Sequence, residues 1–298
     1  MDFKQIEAFI SVAKLKSFSK AANHIYLSQP TISSHISSLE KELSIQLFDR
    51  NSKEVNLTPA GKCFLDYAID IINTRNNAIS CLCNFDNNIS GTLNLGASTT
   101  PCNTIVPSLI KKFFNEYPQI KFNILEQSSG EIIQDLIDLN CEIGIVGNIS
   151  TNDKIKSYCL MEDELVVVSS PALGLDSQLS IDEFLKQKLI MREKNSATRK
   201  TFESIMEEKG LNFNKVNLCC EVNNLDTLIQ FVKTGMGISI VSRGVSEDYE
   251  KLGLLNVSTI KDLSMKRYIY LVLNSKRTLT PTAKAFFELC KREFNIEE

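Results

Sequence analysis

Residues Ser17–Leu43 read SFSKAANHIYLSQPTISSHISSLEKEL. The stretch is rich in serine, yet apolar residues return at helical steps through it. Ser19 is placed to cap a short helix carrying Ala21, Ala22 and Ile25, small enough for another helix to approach closely. Tyr26 and Leu27 make a brief turn. Ser28 is an N-cap and Pro30 falls in the first turn of a further helix, where a missing N–H costs little. Ile32, Ile36, Leu39 and Leu43 form the buried stripe of that helix. Its other face shows Gln29, Thr31, Ser33, Ser34, His35, Ser37 and Ser38. Serine and threonine are mediocre in helix interiors, so a helix that displays them has another use for them. Two helices joined by a tight turn, the second exposing short hydrogen-bonding groups, is the helix-turn-helix pattern. Short side chains let such a helix sit close to bases and phosphates in the major groove. Ser and Thr pair with base edges or phosphate oxygens, and Gln pairs bidentately with adenine. The alternative for these residues alone is a solvated, serine-rich helix.

The flanks extend the pattern. Phe3, Ile6, Phe9, Ile10 and Ala13 predict a first helix from Asp2 to about Lys14. Ile45 to Leu57 reads as two short extended pieces around DRNSKEV, a wing-sized hairpin. Thr58-Pro59 then starts a long helix as N-cap and N1. Its apolar sites are Phe64, Leu65, Ala68, Ile71, Ile72, Ile79 and Leu82. A lone helix cannot bury such a face, and pairing with a second copy is the simplest remedy.

After NFDNNISG the pattern alternates strand and helix. TLNLGAS is followed by a helix over Pro101–Tyr117, IKFNILEQ by one over Gly130–Leu139, and CEIGIVG is the next strand. A second series runs ELVVVSS, a helix near Ile181–Gln187, KLIMRE, a helix over Ser196–Lys209, VNLCCEV, a helix over Leu225–Thr234, and GISIVS. RYIYLVLN and a helix from Pro281 to about Phe294 end the chain. This is α/β alternation, with ligand sites expected at strand carboxyl ends.

Composition excludes several classes. The 298 residues carry net charge −3, so the whole chain is no polyelectrolyte clamp for nucleic acid. Residues 1–60 hold seven Lys/Arg against six acids, +1, which leaves −4 for the remainder. The opening MDFKQIEAFI is no signal peptide, and the apolar runs are too short for a transmembrane helix; no membrane partner and a cytoplasmic location are expected. The nine cysteines have irregular spacing and read as reduced, mostly buried thiols. No metal site or cofactor is expected. The α/β region has no histidine, HExxH, GxSxG or P-loop, so the chain reads as a non-enzyme. Gly235-x-Gly237 is a turn feeding a strand rather than a dinucleotide fingerprint.

The first 60 residues resemble the winged helix-turn-helix of LysR-type transcriptional regulators. SFSKAANHIYLSQPTISSHISSLEKELSIQLFDR and LTPAGKCFLDYA match that family's pattern almost end to end. FFNEYPQIKFNI, VKTGMGISIVS and SKRTLTPTAKAFFELC are similar to its effector-domain landmarks. The resemblance implies a winged helix-turn-helix at 1–58 (helix-turn-helix about 18–37), a linker and dimerisation helix at 59–88, and a periplasmic-binding-protein-like effector domain at 89–298. That domain would have two α/β subdomains, about 89–161 plus 267–298, and about 162–266. It implies a dimer or tetramer, double-stranded operator DNA as partner, contact with RNA polymerase, and a small molecule in the cleft. Ser28, Gln29, Pro30, Thr31, Ser33, Ser34 and His35 become the DNA-facing candidates, with Arg50 in the wing against phosphate. Many members carry Arg or Lys near Ser34 and His35; neutral groups here argue against guanine readout from those positions.

Four strand-to-helix junctions carry neutral donors: Ser98, Thr99 and Thr100; Ser128 and Ser129; Asn195, Ser196 and Thr198; Asn223 and Asn224. Each lies at a predicted helix N-terminus, where N–H groups favour an anion. Ser98, Thr99, Thr100, Ser128, Ser129, Ser196, Thr198 and Asn223 are the effector candidates, for a small oxyanion or carboxylate. Thr100, Ser129, Ser196 and Thr198 are expected to face one another with hydroxyls unpaired until a ligand or water arrives. The competing role for each is plain N-capping. REKNSATR is also similar to the Ser/Thr-rich segment of sulfur-metabolism branches of the family, with Ala197 where Gly is expected. Two other functions compete with a ligand-responsive regulator: an architectural DNA binder without a ligand, and an α/β enzyme with an accessory DNA-binding domain.

Overall fold

The computed structural model describes residues 1–49, 55–83 and 89–296, which divide into two compact units: Met1–Ser90 with Ser275–Ala285, and Gly91–Asn274 with Phe286–Glu298.

The first unit begins with α1 (Phe3–Leu15). Asp2 caps it through a capping box with Gln5. Helix α1 ends at Lys16 in the left-handed region, and Ser17, not Ser19, caps α2 (Phe18–His24) by accepting from Lys20 N. The extended backbone directly after Lys16 puts the cap two residues earlier than the serine pattern suggests. Tyr26 then takes φ 57°, and Leu27 N donates to Ala22 O at 2.9 Å, a Schellman closure. Helix α3 (Gln29–Leu43) follows with Ser28 as N-cap and Pro30 in its first turn. Strands β1 (Phe48–Asp49) and β2 (Asn56–Leu57) pair antiparallel as the wing. The buried Glu40 carboxylate accepts from Leu47 N at 2.8 Å and Phe48 N at 3.2 Å, tying α3 to β1. Phe9 stacks against Phe48 and Phe64 at 5.4 and 5.1 Å in a core that also holds Ile6, Ile32, Ile36 and Leu39.

Thr58 caps α4 (Pro59–Cys83) by accepting from Gly61 N at 3.0 Å. Gly61 is required by close approach: a Cβ there would collide with the Leu47 carbonyl. The apolar stripe of α4 is partly consumed at home. Ala68 is buried, and Phe64, Leu65, Ile71 and Ile72 pack on the core of their own unit. The C-terminal segment holds the same helix, since Asn73 Nδ2 donates to Thr278 O and Thr278 N donates to Asp70 Oδ1, both at 2.8 Å. The large apolar groups that α4 leaves exposed are Tyr67 and Ile79 among its described side chains.

The second unit is one ten-stranded mixed sheet with helices on its faces. Strand β3 (Gly91–Ser98) leads to α5 (Thr99–Thr104) and α6 (Val106–Glu116). These are two helices where one over Pro101–Tyr117 was expected. Pro107 has no N–H to give the Asn103 carbonyl, so the helix stops at Ile105 and restarts. Next come β4 (Ile120–Gln127), α7 (Ser129–Ile137), β5 (Ile143–Val146) and β6 (Ile155–Ser169). Strand β6 is far longer than ELVVVSS. Its first part pairs with β12 as far as Glu164, and from Leu165 it pairs with β10. The chain continues through β7 (Gln178–Leu179), α8 (Ile181–Lys186), β8 (Lys188–Arg192), α9 (Ala197–Glu208), β9 (Asn217–Val222), α10 (Leu225–Lys233) and β10 (Ile238–Ser242). Helix α11 (Arg243–Lys251) and strand β11 (Asn256–Ile260) were not expected from the pattern, and β12 (Lys266–Asn274) and α12 (Pro281–Phe294) close the chain.

Strand order is β4-β3-β5-β12-β6-β10-β8-β9, with β11 beside β6 and β7 beside β11. Alternation along β6 feeds two cores: Leu165 and Val167 join Phe184, Phe202 and Ile240, whereas Val166 and Val168 join Leu228, Ile229 and Val232. At the other end of the sheet Phe113 packs edge-on to Phe286 at 5.3 Å. No described helix is long and apolar enough to cross a membrane, and the described residues hold no cluster of three or more potential metal ligands.

Candidate functional site

Two sites follow, one in each unit. On α3, Ile32, Ile36 and Leu39 point inward, and Ser28, Gln29, Pro30, Ser33 and Ser34 are exposed; Thr31 and His35 are half-buried. The Ser28 hydroxyl is engaged locally. It accepts from Thr31 N at 3.3 Å and lies 2.7 Å from Thr31 Oγ1. Gln29, Ser33 and Ser34 therefore hold the uncommitted polar groups at the start of the helix. Arg50, the wing candidate, lies outside the described residues.

In the second unit, seven of the eight effector candidates line one small cavity of about 20 Å³: Ser98, Thr99, Thr100, Ser128, Ser129, Ser196 and Thr198. Asn223 lines a wider cleft of about 560 Å³ that shares Thr99, Ser128, Arg192 and Glu193 with the small one. The geometry separates capping residues from the rest. Ser128 caps α7 in a box with Glu131, and Asn224 caps α10. Ser98 and Ser196 stand at N-cap positions but make no side-chain cap bond, and the buried Ser98 Oγ has no hydrogen-bond partner.

Two buried arginines organise the cavity, and neither is among the candidates expected from the sequence. Arg267 on β12 donates from Nε to Asp163 Oδ2 at 2.8 Å. Its two terminal nitrogens donate at 2.9 Å to Thr198 Oγ1 and to Thr100 Oγ1. Asp163 also accepts from Ser242 Oγ at 2.6 Å. Burial pulls the Arg267 guanidinium below its ordinary range, opposed by the charge and hydrogen bond of Asp163. Gly147 gives Arg267 room, since a Cβ there would meet the guanidinium at 3.3 Å. Arg192, at the carboxyl end of β8, grips Glu193 through Nε at 2.9 Å and a terminal nitrogen at 3.1 Å, and reaches Asn223 O at 3.2 Å. The available signal was a lone Arg beside an apolar strand run, in KRYIYLVLN and in KLIMR.

This corrects one expectation. The hydroxyls of Thr100, Thr198 and Ser129 are not unpaired: the first two accept from Arg267, and Ser129 Oγ accepts from Gly147 N at 3.3 Å. A hydroxyl that accepts still has its own proton to give. Because Arg267 fills the acceptor side of both threonines, their protons are directed away from it. The hydroxyls and the two guanidinium groups make the cavity rich in donors at the N-termini of α7 and α9, with the Glu193 carboxylate that Arg192 grips as the exception, and that balance suits an acceptor-only head group.

The thiols divide differently from the sequence expectation of mostly buried cysteines. Among the described side chains Cys141 and Cys290 are buried, while Cys63, Cys159 and Cys219 are exposed. Burial, and then the charge of Glu126 and a hydrogen bond to it, push the Cys102 thiol up to about 11; burial and Glu293 push Cys290 up to about 12. The thiolate is the nucleophile, so both are nearly inert at neutral pH. Iodoacetamide at pH 7 should label Cys63, Cys159 and Cys219 in the folded protein and spare Cys102 and Cys290. Mass spectrometry showing Cys102 alkylated as fast as Cys219 would contradict the buried placement.

Residues 3–62 match the family model described as bacterial regulatory helix-turn-helix protein, lysR family, and residues 86–295 match the LysR substrate binding domain. The chain is 34% identical to an uncharacterized HTH-type transcriptional regulator of Methanocaldococcus jannaschii, over 95% of this chain and 96% of that protein. Full-length OxyR from Pseudomonas aeruginosa superposes with TM-score 0.77 at 19% identity, covering 99% of this chain and 95% of the other. CbnR complexed with its target DNA superposes with TM-score 0.62 at 18% identity, covering 98% and 100%.

Proposed function

The chain belongs to the LysR family of transcriptional regulators, and from that premise we propose that it reads operator DNA with α3 and answers a small anion held in the Arg267 cavity. It is a DNA-binding regulator with an effector-binding domain, not an enzyme. In this reading residues 1–58 bind DNA, 59–88 link and pair subunits, and 89–298 take the effector. The chain works in the cytoplasm and meets RNA polymerase at its promoters. Gln29, Ser33 and Ser34 face the major groove, with Pro30, Thr31 and His35 beside them; Ser28 acts through its cap.

The observation that carries the effector reading is that Ser98 and Ser196, two buried hydroxyls that cap nothing, line one cavity with Arg267. Ser98→Ala and Ser196→Ala remove donors without breaking a protein hydrogen bond. Thermal stability should hardly change, and operator binding without effector should persist. Binding of a charged ligand should weaken by roughly 1.5–3 kcal/mol per lost donor. Calorimetry on the full chain with the effector anion reads this directly. Unchanged affinity in both variants would remove these serines from the effector site.

Oligomerisation is assigned to the exposed part of α4. Ile71 and Ile72 support their own core, so charge there would damage the fold as well as any interface. Tyr67→Glu combined with Ile79→Glu avoids that problem, because both side chains are exposed. Light scattering should show a smaller particle with unchanged circular dichroism. An unaltered mass would move the interface off this helix.

A further inference from the structure

Beyond the Ser98–Arg267 cavity, the wider cleft beside it adds acceptors that the small cavity lacks. Gln127 Oε1 is buried there without a hydrogen-bond partner. Glu126, Glu131 and Glu193 line the same cleft. Hydrogen bonds from the Ser128 side chain and backbone hold the Glu131 carboxyl below its usual range, so it is ionised at neutral pH.

Arg267 is matched by Asp163 at 2.8 Å and Arg192 by Glu193 at 2.9 Å. Glu126 and Glu131 have no ion-pair partner among the described residues. The two guanidinium charges are therefore offset on site, and two carboxylates remain at the mouth. A dianion such as sulfate would meet net negative charge on entry, whereas a ligand that also carries a cation would have that charge offset.

The two unmet groups are neighbours. Ser98 on β3 and Gln127 on β4 are aligned in register on adjacent parallel strands, about 4.8 Å apart across the ladder. Thr99 and Ser128, the next residue on each chain, line both cavities and make them continuous. An unpaired donor and an unpaired acceptor on neighbouring strands suit a ligand whose acceptor group and donor group are carried on a single carbon. An α-amino acid has that arrangement: a carboxylate that only accepts and an ammonium that only donates.

We propose that the effector is a zwitterion of the α-amino acid type, its carboxylate in the Ser98–Arg267 cavity and its ammonium in the outer cleft against Gln127, Glu126 and Glu131. The inference rests on the anion reading of the inner cavity and adds the cationic half. It also places the variable side chain of the ligand toward the open cleft, where Asn195, Asn223 and Asn224 stand.

The test is calorimetry on the full chain with the common L-α-amino acids, the N-acetyl derivative of each, the matching simple carboxylates and primary amines, and sodium sulfate. At least one free amino acid should bind. Its N-acetyl derivative and its des-amino carboxylate should bind roughly 10-fold more weakly or worse, and sulfate more weakly still. Gln127→Met and Glu131→Gln should weaken the free amino acid and leave the N-acetyl derivative where it was; Gln at 131 can still close the capping box, so folding is preserved. If carboxylates lacking the amine bind as tightly as amino acids, the zwitterion inference is overturned while the anion site stands. If amines lacking the carboxylate bind as tightly, the anion reading falls and takes the inference with it. If no amino acid in the panel binds, the inference is likewise overturned.

Discussion

Arg267→Met is expected to destabilise the second unit by roughly 3–5 kcal/mol, the cost of leaving a buried carboxylate without its partner. Asp163 and Arg267 are both nearly inaccessible, and their ion pair joins β6 to β12 inside the sheet. The guanidinium also bridges Thr100, at the start of α5, to Thr198, at the start of α9. Its loss removes the charge balance and the element that positions both hydroxyls. Combining Arg267→Met with Asp163→Leu removes the stranded charge and should recover most of the stability, since a buried ion pair replaced by apolar groups is often close to neutral. Ser242 Oγ would then lack its acceptor, so recovery stops short of wild type. Effector binding should be lost in the single and the double variant alike. Urea unfolding followed by fluorescence or circular dichroism separates the two effects. A single variant that unfolds at the wild-type midpoint would mean that this pair is not buried as described.

The second large effect is on DNA. Gln29→Ala and Ser33→Ala should each weaken operator binding by roughly 1–3 kcal/mol where a base contact is lost. Neither change should harm the helix: both positions are exposed, and Ala is the best helix former. Thr31→Ala is a less clean test than the sequence suggests, because Thr31 Oγ1 is 2.7 Å from the capping Ser28 hydroxyl, so the change disturbs the start of α3 as well. Footprinting or fluorescence anisotropy at a fixed salt concentration would measure the loss, since phosphate contacts make affinity salt-dependent. Wild-type affinity in both the Gln29 and Ser33 variants would remove this face of α3 from the groove.

The sequence by itself determined what local chemistry and periodicity encode. Ser28 and Thr58 cap α3 and α4 where their spacing from Pro30 and Pro59 placed them, because a cap needs only its own side chain and an N–H within the next few residues. The inward stripe of α3 and the α/β alternation were legible for the same reason: burial repeats with the period of the element. The hydroxyls lining the small cavity were legible because each sits at a strand-to-helix junction. The break at Ile105 was also written locally, in Pro107, and the apolar run around it masked the signal.

What only the tertiary structure decided depends on residues far apart in the chain. Asp163 and Arg267 are separated by 104 positions, and nothing near either one announces the other. Which serines cap and which are left over is settled by the backbone each faces, so Ser128 and Ser98 look alike in sequence and differ in the fold. The stripe on α4 read as an interface because periodicity reports that a face is buried without reporting against what; Ile71 and Ile72 turned out to lie on their own core. The pairing of Ser98 with Gln127 is a matter of strand register, and register is set by packing across the whole sheet rather than by either strand alone.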